Sequence, residues 1–335
     1  DFIDITARSF GYGAIGSGLI FMGLLMLLSF LLSLPFTIYS TFVIEERFGF
    51  NRTTVKTFIL DNIKSIILAV ILGGLLLTGI LWFFTAAGSY AWLYCWLVTI
   101  LFSFFIQFIA PVVIMPLFNK FSPLEDGVLK GKINDYASKQ NFTLQGIFTM
   151  DGSKRSSKLN AFFTGFGKFR KVVLFDTLIE KLTEQQIIAV LAHEIGHAKL
   201  KHLWKGFALF IIQSGLIFYI LSLFIAREDF ALAFGMTHPS IYASLLFLSY
   251  LFSPINLFVS ILFNKLSRNY EYEADNFAAK TTGESKSLVT ALKILTKENM
   301  ATLCPHPLYV LFYYSHPPLK ERINSLENFD TGHIL

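Results

Sequence analysis

Two histidines and a glutamate in the stretch His193-Glu194-Ile195-Gly196-His197 have the spacing H-E-x-x-H. On an α-helix, residues four apart lie above one another, so His193 and His197 can offer two imidazoles to one metal ion. Glu194 directly follows the first histidine and could take a proton from a metal-bound water. The spacing predicts a hydrolytic metal site if the stretch is helical and a third ligand exists.

The residues around this motif carry the signals of a helix that starts near residue 184. Thr183 and Gln186 fit a capping box, in which each side chain bonds the backbone N–H at the other position. Apolar side chains then recur at helical spacing, at Ile187, Ile188, Leu191 and Ile195. Gly196 weakens a helix by roughly 1 kcal/mol but lets another group approach the metal closely. The motif is therefore predicted to be helical.

The third ligand must come from elsewhere in the chain. His202 lies nine residues after His193 and is predicted near the opposite helix face, so it cannot complete the site. Behind the last apolar segment, Glu271 and Asp275 are four apart and share a helix face, whereas Glu273 points away. These residues could form only an exposed charged turn, but their position at a membrane exit favours a ligand.

A catalytic zinc site has three protein ligands and one open position for water. His193, His197 and Glu271 would supply these three ligands, and Asp275 could orient an imidazole through a hydrogen bond. A nitrogen-rich set with one carboxylate favours one zinc ion per chain, although cobalt or manganese would also fit.

The composition is that of a membrane protein. Of the 335 residues, 54% are hydrophobic and 15% are charged, and the mean hydropathy is +0.57. A soluble domain has about 25% charged residues. The Lys and Arg residues behind the net charge of +5 lie mostly in a few loops beside apolar segments. This is the positive-inside pattern of a protein in a lipid bilayer, and it excludes nucleic-acid binding.

Five apolar segments are long enough to cross a bilayer as helices: 15–44, 63–84, 92–115, 203–226 and 240–263. They predict four regions along the chain. These are 1–118, three membrane helices with an amphipathic connector at 45–64; 119–202, a catalytic segment with edge strands and the motif helix; 203–265, two membrane helices; and 266–335, a C-terminal catalytic segment with the third zinc ligand.

The polar segment before the motif helix mixes helix and strand signals. Residues 124–140 are predicted to be helical, and 146–150 and 171–175 are predicted to be short β-strands. A third candidate strand is 160–163, with a hairpin turn at 165–168. Five spans place this segment, the connector and the C-terminal tail on one side. Because these regions carry nearly all the Lys and Arg, we expect that side to be cytoplasmic.

The chain resembles the type I CAAX prenyl proteases, a family of integral-membrane zinc metalloendopeptidases. The likeness runs from about Pro35 to Leu326. It is carried by Phe42–Asn51, Gly152–Ser157, Asn160-Ala161, Val173–Leu178, Glu271–Asp275 and Ser315–Leu319, in addition to H-E-x-x-H. The resemblance implies a mainly α, multi-pass helical membrane fold with a small α+β zinc metalloprotease domain of the gluzincin-like type.

The resemblance also implies roles for individual residues. His193, His197 and Glu271 would bind zinc, and Glu194 would be the catalytic base. Asn160 and Ala161 would lie on a strand lining the substrate cleft, where an extended peptide could pair by β-augmentation.

In such proteins, residues matching His316 and Arg322 flank the active site. His316 could stabilise an oxyanion, and Arg322 would contact substrate. Helix capping and surface charge are the alternative explanations for both residues.

The substrate implied by the resemblance is a peptide or protein, with a prenylated C-terminus as one possibility, from which a C-terminal tripeptide is removed. Only 15 residues separate Thr177 from His193, which suggests a bacterial member in an inner membrane rather than the endoplasmic reticulum. Its natural substrate would then not need a prenyl group. The family pattern of seven spans would place two of them before Asp1.

Two alternatives remain at this stage. An HtpX-like membrane quality-control protease would share H-E-x-x-H and the E-x-x-x-D pattern, but such proteins look shorter and lack the run Ser315–Pro318. A transporter or channel with a structural metal would need polar groups inside the spans, and the apolar segments contain almost none.

Overall fold

A computed structural model describes residues 1–165, 170–225 and 227–330. The chain folds into two compact units. The first comprises Asp1–Phe48, Thr53–Ile109 and Phe207–Ile255, and the second comprises Gly49–Arg52, Ala110–Gly206 and the residues from Asn256 onward.

The elements follow one another in this order: α1 (Phe2–Ser9), α2 (Gly13–Tyr39), α3 (Val55–Leu68), α4 (Gly74–Ala86), α5 (Ala91–Ile109), α6 (Met115–Phe118), β1 (Phe121–Pro123), α7 (Val128–Lys139), β2 (Gly146–Met150), β3 (Ala161–Thr164), β4 (Lys171–Phe175), α8 (Asp176–Lys181), α9 (Glu184–Lys199), α10 (His202–Phe224), α11 (Glu228–Ala233), α12 (Ile241–Thr282), α13 (Lys286–Glu298), α14 (Pro307–Tyr313) and α15 (Leu319–Asp330). Short π-helical turns at Ser40–Glu45, Ala69–Gly73 and Ala110–Ile114 continue α2, join α3 to α4 and join α5 to α6.

Within the described residues, five helical runs are long and apolar enough to cross a membrane: Gly13–Glu45, Val55–Ala86, Gly88–Phe118, His202–Phe224 and Ile241–Thr282. Each overlaps one of the apolar segments found in the sequence. The second run starts inside the predicted connector 45–64, because Thr54 caps the helix by accepting the Thr57 N–H on its Oγ1 at 3.1 Å.

The side chains of these runs face outward. At most 11% of the most apolar window of each run is buried, and Leu32, Val70 and Ile212 are 64–68% exposed. A continuous apolar surface of this length, on helices that satisfy their own backbone hydrogen bonds, suits hydrocarbon rather than water. The protein is therefore an integral membrane protein.

A four-stranded mixed sheet, in the order β1-β2-β4-β3, lies in the described part of the second unit. β2 and β4 run parallel, whereas β1 and β3 pair antiparallel with their neighbours. The structure confirms the predicted strands 146–150 and 171–175, and the third strand begins at Ala161, one residue later than predicted. Most of the predicted turn at 165–168 lies outside the described residues. β3 forms one edge of this sheet.

Helix α9 carries the motif and is fixed at its start and along one face. Thr183 Oγ1 accepts the Gln186 N–H and Gln186 Oε1 accepts the Thr183 N–H, so the predicted capping box is confirmed. Ile187, Leu191 and Ile195 are at most 2% exposed within the main core of the second unit. Because this face of α9 is packed in the core, the motif side chains on the opposite face are held rigidly.

Helix α12 meets α9 at Gly196. A Cβ placed on Gly196 would lie 3.2 Å from both the Cα and the carbonyl oxygen of Ala274. The close approach expected at Gly196 is therefore made by the backbone of α12 rather than by a group bound to the metal. It brings the acidic residues of α12 next to the motif helix.

Candidate metal centre

Three predicted ligands converge between α9 and α12. His193 Nε2 and His197 Nε2 are 3.1 Å apart, and the two oxygens of Glu271 lie 3.5 Å from the first nitrogen and 3.2 Å from the second. Around a tetrahedral metal ion with bonds of about 2.1 Å, neighbouring ligand atoms are roughly 3.4 Å apart. His193, His197 and Glu271 therefore form a group that could hold a metal ion.

The surroundings of these atoms also fit a metal cation. Glu271 Oε2 is buried and accepts no hydrogen bond within the described part of the chain. Burial opposes a positive charge on His193, but the adjacent Asp275 and Glu271 carboxylates outweigh it and raise the His193 pKa to about 9. The site therefore favours positive charge in the place where the ligand atoms meet.

Asp275 and Arg322 stand behind the ligands. Asp275 Oδ1 is 2.8 Å from His193 Nδ1. Because a carboxylate only accepts, His193 carries its proton on Nδ1 and directs the lone pair of Nε2 towards the other ligands. The Arg322 guanidinium donates two hydrogen bonds to Asp275, at 2.6 and 2.8 Å. With 11% exposure, the Arg322 side chain is not a surface charge.

Glu194 lies beside the ligands in the same cavity. Burial raises the pKa of its carboxyl group, while the neighbouring His193 and His197 act in the opposite direction. A carboxyl group with a raised pKa can both accept and return a proton near neutral pH. Its position and environment suit general acid–base chemistry.

His202 does not lie where the sequence suggested. Helix α9 ends at Lys199, and Lys201 has a left-handed φ of +59° that turns the chain before α10 begins. His202 Nδ1 consequently lies 2.9 Å from His197 Nδ1. The prediction that His202 occupies the opposite face is wrong, because it assumed one helix through residue 202. His202 is not among the three grouped ligands, but it touches one of them.

His316 and Arg322 both line the cavity. The His316 side chain is 66% exposed, and its Nε2 lies 3.4 Å from Glu271 Oε1. Its Nδ1 is 3.0 Å from the Ser315 hydroxyl. The roles expected for the two residues, in stabilising an oxyanion and in binding substrate, stay predictions.

The edge strand β3 begins beside the cavity, which Asn160 and Ala161 help to line. The Phe175 N–H donates to the Asn160 carbonyl at 3.1 Å. Residues of an antiparallel ladder alternate between facing the partner strand and facing away, so the backbone groups of Ala161 and Phe163 point away from β4. They face the edge where an extended peptide could add.

Asn299 is a cavity residue that the sequence reasoning missed. Its Oδ1 accepts the Leu159 N–H at 2.8 Å, and its Nδ2 donates to the Leu159 carbonyl at 3.2 Å. The side-chain amide thereby anchors the backbone just before β3. No sequence signal was available, because the two residues are 140 positions apart.

The cavity has a volume of about 350 Å³ and two kinds of wall. Leu288, Leu292 and Leu295 of α13 supply apolar side chains. The polar side chains are those of the metal-ligand group, Glu194, Asn160, Asn299, His316 and Arg322. A pocket that combines an apolar wall with convergent polar groups is typical of a substrate site.

The fold and site define a class: a multi-pass membrane metallopeptidase whose metal-ligand group joins an H-E-x-x-H helix to a second helix. Two family models match the chain. One is described as "CAAX prenyl protease N-terminal, five membrane helices" and matches residues 1–120; the other, peptidase family M48, matches residues 123–330.

Relatives and a solved structure agree with these matches. The chain is 41% identical to a CAAX prenyl protease 1 homolog of Arabidopsis thaliana, over 92% of this chain and 73% of the relative. It is 38% identical to CAAX prenyl protease 1 of Saccharomyces cerevisiae, over 93% and 72%. The crystal structure of S. mikatae Ste24p superimposes with a TM-score of 0.90 at 37% identity, over 97% of this chain and 79% of that one.

The chain therefore belongs to peptidase family M48, in its group of CAAX prenyl proteases. It is a membrane metalloendopeptidase that acts on peptide or protein substrates, as the resemblance implied. The quality-control protease and the transporter are not favoured by these comparisons.

Proposed function

We propose that this enzyme is a zinc-dependent endopeptidase that removes the C-terminal tripeptide of prenylated CAAX proteins at the bilayer. The observation that carries the proposal is the meeting of His193, His197 and Glu271 in one cavity with Glu194. The names of the relatives supply the substrate class.

His193, His197 and Glu271 would hold the zinc ion, with Asp275 fixing the proton of His193 on Nδ1. The chemistry that zinc supplies when bound is activation of water and polarisation of a carbonyl. Glu194 takes the proton of the attacking water and passes it to the leaving amine. His316, which reaches Glu271 from the cavity side, donates a hydrogen bond to the developing oxyanion.

The substrate would bind as an extended strand along the free edge of β3. Ala161 and Phe163 present their backbone groups to it, and Asn160 precedes them at the cavity. Arg322 lines the same cavity and would contact the substrate there. Main-chain pairing of this kind holds a peptide in register while the apolar wall of α13 accepts a side chain.

We further propose that the segments 119–202 and 266–335 together form the catalytic part and lie on the cytoplasmic side. The basic residues of these segments support this orientation. The short connection between Thr177 and His193 suggests a bacterial inner membrane, where the substrate would not need a prenyl group, whereas the eukaryotic relatives named above support the prenylated substrate proposed here. Fractionation of the source cell distinguishes an inner membrane from the endoplasmic reticulum.

The test uses the purified full chain with prenylated and unprenylated CAAX peptides. Replacing Glu194 by Gln should lower hydrolysis by about 10²–10⁴-fold, the usual contribution of a general base, with zinc content unchanged. Glu184→Gln, at the exposed start of the same helix, is the matched control and should keep full activity.

Wild-type activity and metal content in Glu194→Gln would refute the mechanism. Equal cleavage of both peptides would refute the prenylated substrate class and leave the mechanism intact.

A further inference from the structure

A second carboxylate reaches the ligand group through two imidazoles. Glu273 Oε2 is 2.9 Å from His202 Nε2, and His202 Nδ1 is 2.9 Å from His197 Nδ1. His197 Nε2 then faces His193 and Glu271. The contacts therefore run from the Glu273 carboxylate through the His202 ring to His197, a member of the metal-ligand group.

The direction of each hydrogen bond follows from Glu273. A carboxylate only accepts, so His202 must carry a proton on Nε2. A neutral imidazole with a proton on Nε2 accepts at Nδ1, so the proton between the two rings belongs to His197 Nδ1. His197 Nε2 is left with the lone pair that a metal ion requires.

The two histidines of the motif thus receive the same tautomer by different routes. Asp275 sets the proton of His193 directly, in a buried pair with Arg322. The His197 side chain is more open, 26% exposed against 9% for His193. The position of its proton is fixed by the hydrogen bond to His202.

The fold holds His202 in this role from two sides. The left-handed turn at Lys201 brings it back to α9. Its ring stacks on Tyr270 of α12, with centroids 4.3 Å apart and planes 13° apart. Lys205 lies 3.7 Å from Glu273 and 5.1 Å from the centre of the Tyr270 ring. His202 itself is 6% exposed.

We propose that His202 and Glu273 are positioning residues that hold His197 in the tautomer and orientation that bind the metal. The inference rests on the proposed metal site and adds two residues to its support. Outer partners of this kind change metal affinity by about 10–100-fold when they are removed.

The experiment measures zinc affinity of the purified full chain by competition with a chelator. His202→Leu removes the acceptor, and we expect the zinc dissociation constant to rise about 10–100-fold. His202→Gln supplies an amide oxygen that can accept from His197 Nδ1, and we expect it to restore affinity to within about threefold of wild type. Tyr270→Phe keeps the stacking ring and is the control, with unchanged affinity.

The pair Glu273→Leu and Glu273→Gln repeats the test at a residue whose side chain is 46% exposed, where folding is not at issue. We expect the Leu variant to lose about fivefold in affinity, the effect of one lost hydrogen bond, and the Gln variant to lose less. In cobalt-loaded protein, the visible absorption bands should shift in His202→Leu and not in His202→Gln.

Equal zinc affinity in wild type and His202→Leu would overturn the inference, as would equal losses in His202→Leu and His202→Gln. Failure of the wild-type protein to bind zinc would instead refute the proposed function itself.

Discussion

Among single residues, Asp275 links a metal-ligand histidine to the buried Arg322. It is fully buried, accepts from His193 and receives two hydrogen bonds from Arg322. Asp275→Asn would remove the carboxylate that accepts both Arg322 hydrogen bonds, and breaking a buried pair costs about 3–5 kcal/mol. We expect a lower thermal midpoint and weaker zinc binding, measured by unfolding in detergent and by chelator competition.

The matched control is Asp126→Asn. Asp126 pairs with Lys130 in the same unit, but its side chain is 95% exposed, so its loss should leave the thermal midpoint unchanged. An Asp275→Asn protein as stable as the Asp126→Asn protein would contradict the role assigned to the buried pair.

The sequence predicted these residues unevenly. Residues four apart lie on the same face of a helix, so the sequence could pair His193 with His197 and Glu271 with Asp275. His202 was misplaced because its position depends on a left-handed residue, and Lys201 gives no glycine signal for such a turn.

Among the elements, β3 leads to a prediction about substrate binding. Ala161→Pro removes an outward N–H without touching the ladder to β4, because that N–H faces the edge. At present it donates to Asn160 Oδ1 at 2.9 Å, a contact that a substrate carbonyl would replace. We expect KM to rise roughly fivefold, the effect of one hydrogen bond, while metal content stays constant.

Ala161→Ser retains the N–H and is the control for the change of side chain. If steady-state kinetics gave the Pro and Ser variants the same KM, pairing along β3 would have to be abandoned.

The close contact between α9 and α12 should also affect zinc binding. Gly196→Ala should improve the helix by roughly 1 kcal/mol on propensity alone. Its methyl group, however, would lie 3.2 Å from the Ala274 backbone and push α12 away by a few tenths of an ångström. Since α12 carries Glu271, we expect weaker zinc binding in the Ala variant, measured by chelator competition.

Gly206→Ala is the control, because a Cβ there meets nothing within 4 Å. Wild-type zinc affinity in Gly196→Ala would show that the spacing of the two helices does not limit the site.

Helices and strands with a strong local sequence pattern could be predicted, whereas features that depend on residues far apart in the chain could not. β2 and β4 match their predicted ranges because both are short apolar runs flanked by polar residues. Their parallel pairing has no local signature, since it needs a crossover rather than a turn. The strand β1 escaped notice because it has three residues and ends in Pro123.

For the whole molecule, the two cysteines allow the proposed orientation to be tested. Cys95 is buried, and Cys304 is exposed and lies in the proposed C-terminal catalytic segment. A membrane-impermeant maleimide should therefore label sealed vesicles only when their cytoplasmic face is outside. Mass spectrometry of the labelled chain should locate the adduct at Cys304.

Cys304→Ser should abolish this labelling, and Cys95→Ser should leave it unchanged. Labelling of Cys304 in vesicles of the opposite orientation would place the catalytic segments outside the cytoplasm. The membrane-spanning helices were the most predictable feature of the whole molecule. A hydrocarbon environment requires long apolar helices, and these can be recognised from composition alone.

The separation of the ligands along the chain also has a consequence for biosynthesis. His193, Glu194 and His197 leave the ribosome first, and the third predicted ligand, Glu271, lies near the end of the second apolar run that follows them. A nascent or prematurely terminated chain that stops before residue 271 has the motif but not the complete ligand group. By the proposed mechanism, we expect peptide hydrolysis only after Glu271 has been made.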